Sequence, residues 1–284
     1  ETQPQVSKTL IDEAPKGLKR KVAIARFSNE TKHGNSFLLD KDNDRIGKQA
    51  MDILSSRLTD TGKFLLFERA DLNKIKEEQD IANINSQIVG ADFLIVGSVS
   101  EFGRTTVSEV GLFSRNKKQK ANATVNVRLI DVTSGQIVFS QEGSGEALSE
   151  ANRVFGVGES AGYDSNLDDQ ALSAAISKLV SNLIENLLDT PWVAYILDQS
   201  GGQVIVSGGK SQGIKIGDKF LVVQRGRQVK NQQTGMMIEL PGKEVARLEV
   251  LSFAGSGNNE VSICIVISGD LSKIELSELK VQEI

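Results

Sequence analysis

The sequence predicts an α/β domain, in which a mixed sheet has flanking helices, followed by a small all-β barrel domain. In the first part, strand-like apolar runs alternate with amphipathic helical patterns, and residues 93–99 are apolar enough for a strand covered on both faces. Beyond Trp192, short β-like runs recur between glycines without any helical pattern. Closely spaced strands with glycine turns are typical of a small barrel or sandwich.

The boundary between the two parts is predicted at Asp189-Thr190-Pro191, because a proline there stops the last helix. That helix carries apolar residues at intervals of three and four from Leu172 to Leu188, behind Asp168 and Asp169 at its start. The predicted organisation is therefore a flexible arm, an α/β domain and a barrel domain, over residues 1–20, 21–190 and 191–284.

Three further features of the α/β domain follow from local signals. The alternating run from Lys21 to Phe27 predicts the first strand. A helix is predicted to begin at Asp44, whose carboxylate can accept the amides of the first turn, and to end at Gly62. Thr133-Ser134-Gly135 predicts a hairpin turn between two later strands.

Composition and charge argue against nucleic acid as a partner. The net charge is −4 over 284 residues, whereas phosphate binding needs a basic face. The densest basic run, Lys117, Lys118 and Lys120, is interpreted as a solvated turn. No window reaches the ~18–20 apolar residues of a membrane-spanning helix.

No enzymatic centre, metal site or cofactor is predicted. His33 is the single histidine and lies in a polar loop, which argues against a histidine-based catalytic pair. The acidic run 40–44 lacks the glycine and the final glutamate of a calcium loop. Cys264 lies within an apolar run and is predicted to be a buried, inert thiol.

Two glycine pairs in the second part invite comparison with phosphate-binding loops. Gly201-Gly202 and Gly208-Gly209 have no GxxxxGK[ST] spacing, and neither is predicted to stand between a strand and a helix. Both pairs are therefore interpreted as hairpin turns.

Two long insertions, about 101–122 and 142–166, interrupt the α/β domain. Loops of this length are usually functional or mobile, and each insertion can hold a hairpin with strands of ~9–11 residues, the length of a membrane β-strand. Arg104 and Ser108 interrupt one face of the first insertion, and in the second only Val154, Phe155 and Val157 form a membrane-compatible stretch. A membrane hairpin and a soluble extended hairpin both remain open.

Four segments together resemble the CsgG/HfaB family of envelope lipoproteins. Their order and spacing along residues 21–188 make the resemblance specific. They are VAIARFSN from Val22, FERADL from Phe67 with Glu78-Gln79, GADFLIVGSV from Gly90, and VRLIDVTSGQIV from Val127.

The resemblance implies a homo-oligomeric, curli-type secretion component at the outer membrane, with two hairpins per subunit in a transmembrane barrel. It also implies a lipidated N-terminal cysteine that was cut away, which agrees with a start lacking methionine. The channel constriction of the family corresponds to the loop 29–44, so Asn35 and Phe37 become candidate pore-facing residues.

The second part resembles the small β domain that ends the flagellar basal-body protein FlgT. The similar segments are GIKIGDKF from Gly213, residues 231–238, and KEVARLEV from Lys243. Such a domain implies a binding module of the envelope.

Two functions are therefore carried forward. The first is a ring that secretes or assembles surface polymers, with itself, an exported envelope protein and the outer membrane as partners. The second is a lipid-tethered periplasmic scaffold that binds or activates an envelope enzyme or machine without a pore.

Overall fold

The computed structural model describes two compact units. It covers residues 17–31, 45–70, 75–77, 90–110, 114–154, 166–230, 232–233 and 237–284, with the backbone alone at 106–110, 114–118, 149–154, 237–239 and 258. One unit comprises Lys21–Leu187, and the other combines residues 17–20 with Leu188–Ile284.

The first unit is built on a mixed sheet with the strand order β3-β1-β4-β5-β6, and β2 also pairs with β4. β1 and β2 run parallel to β4, whereas β5 and β6 continue the sheet in antiparallel fashion. The elements are β1 (Arg20–Ile24), β2 (Ser28–Asn29), α1 (Arg45–Asp60), β3 (Phe64–Glu68), β4 (Phe93–Val110), β5 (Ser114–Asp131), β6 (Ile137–Val154) and α2 (Asn166–Asp189).

The two helices bury the faces that their apolar periodicity predicts. α1 buries Leu54 and Leu58 completely, and Gly62 adopts a φ of 64° just beyond its end. α2 buries Leu172, Ile176 and Leu179 completely. The predicted helix ends and the turn at Gly135, with a φ of 70°, are confirmed.

Both insertions extend the sheet. The first forms the outer part of the β4–β5 hairpin, with paired residues from Glu101↔Thr124 to Val110↔Arg115. The first part of the second insertion continues β6 as far as Val154 and pairs with β5. The rest of that insertion, before Asn166, lies outside the described residues.

The interpretation of the lysine run as a turn is wrong. Lys117, Lys118 and Lys120 all lie within β5 and pair with residues of both β4 and β6. The Nζ of Lys120 lies 2.8 Å from Oε1 of Glu146 on β6, so a charge from the neighbouring strand compensates it.

Glycines in β6 allow α2 to approach the sheet closely. A Cβ added at Gly143 would overlap the carbonyl oxygen of Ala175, and one at Gly145 would overlap that of Ala171. Both glycines are buried strand residues. The requirement that these two glycines meet is therefore close helix–sheet packing.

The second unit is a seven-stranded antiparallel sheet that nearly closes on itself. Its strand order is β7-β15-β10-β13-β14-β9-β8, so the two end strands are neighbours in sequence. The predicted fold class, α/β followed by a small all-β barrel, is confirmed. The strands are β7 (Val193–Ala194), β8 (Ile196–Ser200), β9 (Gln203–Ser207), β10 (Lys219–Gln224), β11 (Gln228–Lys230), β12 (Met237–Glu239), β13 (Lys243–Ala254), β14 (Val261–Gly269) and β15 (Leu279–Glu283).

Local details of this unit differ from the sequence prediction in two places. Gly201-Gly202 forms the β8–β9 hairpin turn as predicted, with φ values of 59° and 81°. Gly208-Gly209 does not form a hairpin turn: it connects β9 to a 3₁₀ turn at Lys210–Gln212. The small hairpin of β11 and β12 was not predicted.

Residues from the end of the N-terminal segment, which was predicted to be flexible, complete the barrel core. Leu18 is buried in this core, where Trp192 stacks on Phe220 with ring centroids 5.4 Å apart. The backbone N–H of Lys19 donates to the carbonyl of Gln212 at 2.9 Å. The barrel unit therefore includes residues 17–20 of the predicted N-terminal segment. Residues 1–16 of that segment lie outside the described residues.

Arg20 joins this segment to the second unit. Its guanidinium donates to the carbonyls of Leu188 and Thr190 at 3.1 and 2.7 Å, and it pairs with Glu283 at 3.5 Å. A cation at the last carbonyls of a helix satisfies groups that would otherwise lack a partner.

The prediction for Cys264 is confirmed. The thiol is fully buried, and desolvation raises its pKa from the ordinary 9.0 to about 12. A thiol with this pKa is protonated at neutral pH and is a poor nucleophile.

Candidate functional site: the three-stranded arm

The outer parts of three strands form one continuous element, which we call the arm: residues 101–110 of β4, 114–123 of β5 and 145–154 of β6. The register runs unbroken through the arm in both hairpin ladders, ending at Val110↔Arg115 and Ser114↔Val154. Ten residues per strand correspond to about 33 Å of extended chain.

One face of the arm packs on the N-terminal part of α2. Small residues line this face: Ala121, Ala123 and Ala147 are buried, and Gly145 meets the helix backbone. Because these side chains are small, the helix axis can approach the sheet closely. This part of the arm therefore belongs to the folded core.

An ion pair fixes the arm to the start of α2. Arg104 on β4 donates from Nε to Oδ1 of Asp168 at 3.0 Å, and its Nη2 lies 2.8 Å from the same oxygen. Both side chains are largely buried, at 18% and 14% exposure, and Arg104 also reaches the side-chain oxygen of Gln119 at 3.4 Å. Asp168 lies in the first turn of α2, where a negative charge interacts favourably with the helix dipole.

The opposite face of the arm is polar and open to solvent. Thr105, Lys120 and Leu148 stand side by side in the register, and Leu148 is 64% exposed. Nearer the sheet, the hydroxyl of Thr124 lies within hydrogen-bond distance of Glu101 and Ser144. The described side chains on this face therefore do not form an apolar surface.

Two strand edges, one of β4 and one of β6, run along the sides of the arm. Neither edge has a ladder partner within the described part of the chain. From Glu101 onward, β4 pairs there with β5 alone, and β6 pairs with β5 alone along its entire length. An edge strand presents a row of N–H and C=O groups that can template pairing with another chain. Eighteen residues is an unusually long edge, since strands average about five or six.

The candidate residues from the sequence fall at or beyond the limits of the description. Asn35 and Phe37 lie outside the described residues, as do Phe155, Val157, His33 and the acidic run 40–44. Val154 is the last residue of β6 and pairs with Ser114, and its side chain is not described. These candidates therefore stay predictions.

Sequence reasoning missed the pairing of Arg104 with Asp168. Arg104 was interpreted as a residue that interrupts a lipid-facing surface, and Asp168 only as a helix-start residue. The available signal was the period-two run of small residues at Gly143, Gly145 and Ala147 on β6. With Ala171 and Ala175 on the helix, this run indicates a close contact between them.

The described residues contain neither a cluster that could hold a metal ion nor a helix that could span a membrane. No three His, Cys, Asp or Glu side chains in these ranges lie close enough together to hold a metal ion. None of the helices there has the length and the apolar character needed to cross a membrane.

Comparison with known proteins settles the family. The family model described as the curli production assembly/transport component CsgG matches residues 3–217, more than half of the chain. The chain belongs to the CsgG family. A Neisseria meningitidis serogroup B protein, NMB1126/NMB1164, whose name marks it as a candidate lipoprotein, is 32% identical to this CsgG-family chain over 159 residues, which cover 55% of this chain and 71% of the relative.

Solved structures similar to this CsgG-family chain include PelC and the lipoprotein GNA1162. One is the PelC dodecamer of Paraburkholderia phytofirmans, 19% identical, with a TM-score of 0.28, covering 58% of this chain and 89% of PelC. Another is the lipoprotein GNA1162 of Neisseria meningitidis, 15% identical, with a TM-score of 0.30, covering 60% of this chain and 99% of GNA1162.

Proposed function

We propose that this CsgG-family protein is a non-enzymatic, homo-oligomeric envelope component that assembles or exports a surface polymer. The observation that carries the proposal, together with the family match, is the pair of long strand edges on the arm, which have no ladder partner among the described residues. Neighbouring copies are joined by pairing the outer edge of β4 in one copy with the edge of β6 in the next.

This arrangement is head-to-tail, because two different edges meet at each contact. Heterologous contacts of this kind generate rings when the rotation between copies closes. The polar arm face and the small-residue face would both continue from copy to copy. Backbone pairing supplies the affinity, and the side-chain pattern sets the register.

We further propose that the full-length protein is held at the outer membrane by a lipid on its N-terminal side. The name of the Neisseria relative, which carries the word lipoprotein, supports this anchor. An anchor would confine copies to a plane and raise their effective concentration for ring closure.

One observation favours the second candidate, a tethered scaffold that forms no pore. Past Arg104, β4 runs six residues further to Val110, whereas a membrane-spanning strand needs ~9–11. The ion pair of Arg104 with Asp168 and the packing of Ala147 keep the inner part of the arm on α2. In this arrangement the arm assembles outside the bilayer, and the ring or arc serves as a platform for an envelope enzyme or machine.

Shortening the arm tests both candidates. Residues 107–118 are replaced by Asn-Gly, which connects the paired residues Thr106 and Gln119 through a two-residue turn and keeps Arg104 in place. We expect an unchanged thermal midpoint of the core and a loss of the oligomer in sedimentation velocity. An oligomer of unchanged mass would contradict assembly through the arm.

Vesicle leakage separates the two candidates. The lipidated wild-type protein is incorporated into dye-loaded vesicles, with the shortened-arm variant as the control. Leakage that the shortened arm abolishes supports the secretion channel, and tight vesicles carrying fully assembled oligomer support the scaffold.

A further inference from the structure

The outer part of the arm has two faces, which the strand register distinguishes. Both hairpin ladders continue without a register shift from the pairs of Ala121 to the last pairs of the arm. Because successive residues of a strand belong to opposite faces, this register assigns each outer residue to one face. We call the outer part of the face that includes Ala121 the tip face: residues 106, 108 and 110 of β4, 115, 117 and 119 of β5, and 149, 151 and 153 of β6.

The tip face carries three cations and no acid among these strand residues. Arg115 and Arg153 are direct partners in the β5–β6 ladder, and Lys117 belongs to the same face two residues after Arg115. Like charges directly opposite each other, at a Cα separation of about 5 Å, destabilise a sheet. An anionic partner would remove this repulsion.

Cations elsewhere on the arm have acids beside them. On the opposite face, Lys118 is the ladder partner of Glu150, and Nζ of Lys120 lies 2.8 Å from Oε1 of Glu146. The ion pair of Arg104 lies at the base of the arm, six ladder positions or about 20 Å from the outermost cation of β5. A group of cations without an acid on the same face is therefore specific to the tip face within the described arm.

The phosphate groups of membrane lipids fit this face. Two arginines in register can each donate two parallel hydrogen bonds to phosphate oxygens. In the sequence, Gly111, Leu112 and Phe113 join β4 to β5, and these three lie outside the described residues. Apolar residues this close in sequence to Arg115 are typical of segments at a membrane interface. An acidic, water-soluble ligand would not explain them, so a lipid is the favoured source of the anion.

We propose that the tip face binds the phosphate groups of anionic phospholipids, so that the end of the arm contacts the headgroup layer of a membrane. Arg115 and Arg153 bind the phosphates, and Lys117 adds a third positive charge. Each lysine or arginine near an anionic lipid surface strengthens binding by about fivefold. This contact rests on the proposed placement at a membrane, but it requires neither the ring nor the lipid anchor.

Flotation of the full chain with lipid vesicles tests the contact. The vesicles consist of phosphatidylcholine alone or of phosphatidylcholine with phosphatidylglycerol. We expect binding to the anionic vesicles only, and weaker binding as the ionic strength rises, because salt screens these charges. Lys117→Gln and Arg153→Gln should each weaken binding by about fivefold, whereas Arg115→Lys, which keeps the charge, should stay within about twofold of the wild type.

Lys118→Gln is the matched control, because it removes the same charge from the next residue of β5, on the opposite face. It should leave the affinity within about twofold of the wild type. Equal losses in Lys117→Gln and Lys118→Gln, or equal binding to uncharged vesicles, would overturn the proposal. Tighter binding to polyglutamate would show an acidic protein ligand instead, and release by inorganic phosphate at constant ionic strength would show a site for free phosphate.

Two measurements on the same variants separate the lipid contact from other roles of these residues. The thermal midpoint of Arg153→Gln should not fall, because the substitution removes one of two cations that face each other in the ladder. A lower midpoint with unchanged vesicle binding would mean that the arginine serves the fold and not a lipid. Sedimentation velocity reports on the ring, so lost vesicle binding with an intact oligomer leaves the proposed assembly in place.

Discussion

Arg104 and Asp168 meet across 64 residues of sequence, with Nη2 and Nε of the arginine 2.8 and 3.0 Å from the same carboxylate oxygen. This ion pair joins the β4 segment of the arm to the first turn of α2. It therefore fixes this part of the arm to the first unit, and the proposed assembly uses the strand edges of the arm beyond it.

Asp168→Asn should destabilise the first unit by about 1–3 kcal/mol, because it leaves a largely buried arginine with a neutral partner. Urea denaturation followed by circular dichroism measures this change. Glu146→Gln is the matched control, since Lys120 and Glu146 are 45% and 61% exposed and such surface pairs contribute about 0–1 kcal/mol. Equal losses in both variants would contradict the structural role of Arg104.

Gly143→Ala should also destabilise the first unit, by about 1–3 kcal/mol, because the new methyl group would overlap the carbonyl of Ala175 and push α2 away from β6. Gly90→Ala is the control: no atom lies within 4 Å of the added Cβ, and its effect should stay within about 0.5 kcal/mol. Thermal melts of both variants provide the comparison. A neutral Gly143→Ala would mean that the helix does not approach the strand as described.

The sequence predicted the elements well wherever a single segment carries the signal. The apolar repeat of α2 and the glycine at position 62 are local patterns, and both predictions are confirmed. The errors concern long-range pairing. Gly143 and Gly145 were placed in the second insertion without a packing role, because nothing local shows that the later helix α2 packs on them.

The same limit explains why features of the candidate site and of the barrel core were not predicted from the sequence. Lys120 was assigned to a turn because its compensating charge, Glu146, lies on another strand. The incorporation of Leu18 into the barrel core was not predicted because more than 170 residues separate it from Trp192. Local sequence patterns do not reveal which distant segment completes a domain.

Arg20→Lys should destabilise the barrel unit by about 1–3 kcal/mol, since a lysine cannot reproduce the forked donation to Leu188 and Thr190. Trp192 is the single tryptophan and is buried in the barrel core, so its fluorescence during urea denaturation reports on this unit. Lys21→Gln, at a partly exposed pair of 3.9 Å with Asp92, should leave the tryptophan transition in place. A shift in both variants would indicate a general charge effect.

The buried thiol of Cys264 predicts a pH dependence of unfolding. Its pKa is raised in the folded state to about 12 from an ordinary 9.0, so the folded state retains a proton that the unfolded state releases. This contribution to stability is fully present below about pH 9 and is lost as the pH rises toward 12. The slope is at most about 1.4 kcal/mol per pH unit.

Cys264→Ala isolates this contribution. The difference in unfolding free energy between the wild type and the variant should decrease between pH 9 and 10.5, because other titrating groups cancel in the comparison. A difference that stays constant across this range would show that the thiol is not shielded from water. Modification by a thiol reagent in the native state would lead to the same conclusion.

The mass and shape of the full-length, lipidated protein extracted in detergent test the central claim most directly. Native mass spectrometry with negative-stain imaging should show a closed ring with a uniform number of copies, because each arm offers two different edges and each closes on a neighbour. Particles with the mass of a single chain at micromolar concentration would contradict assembly through the arm.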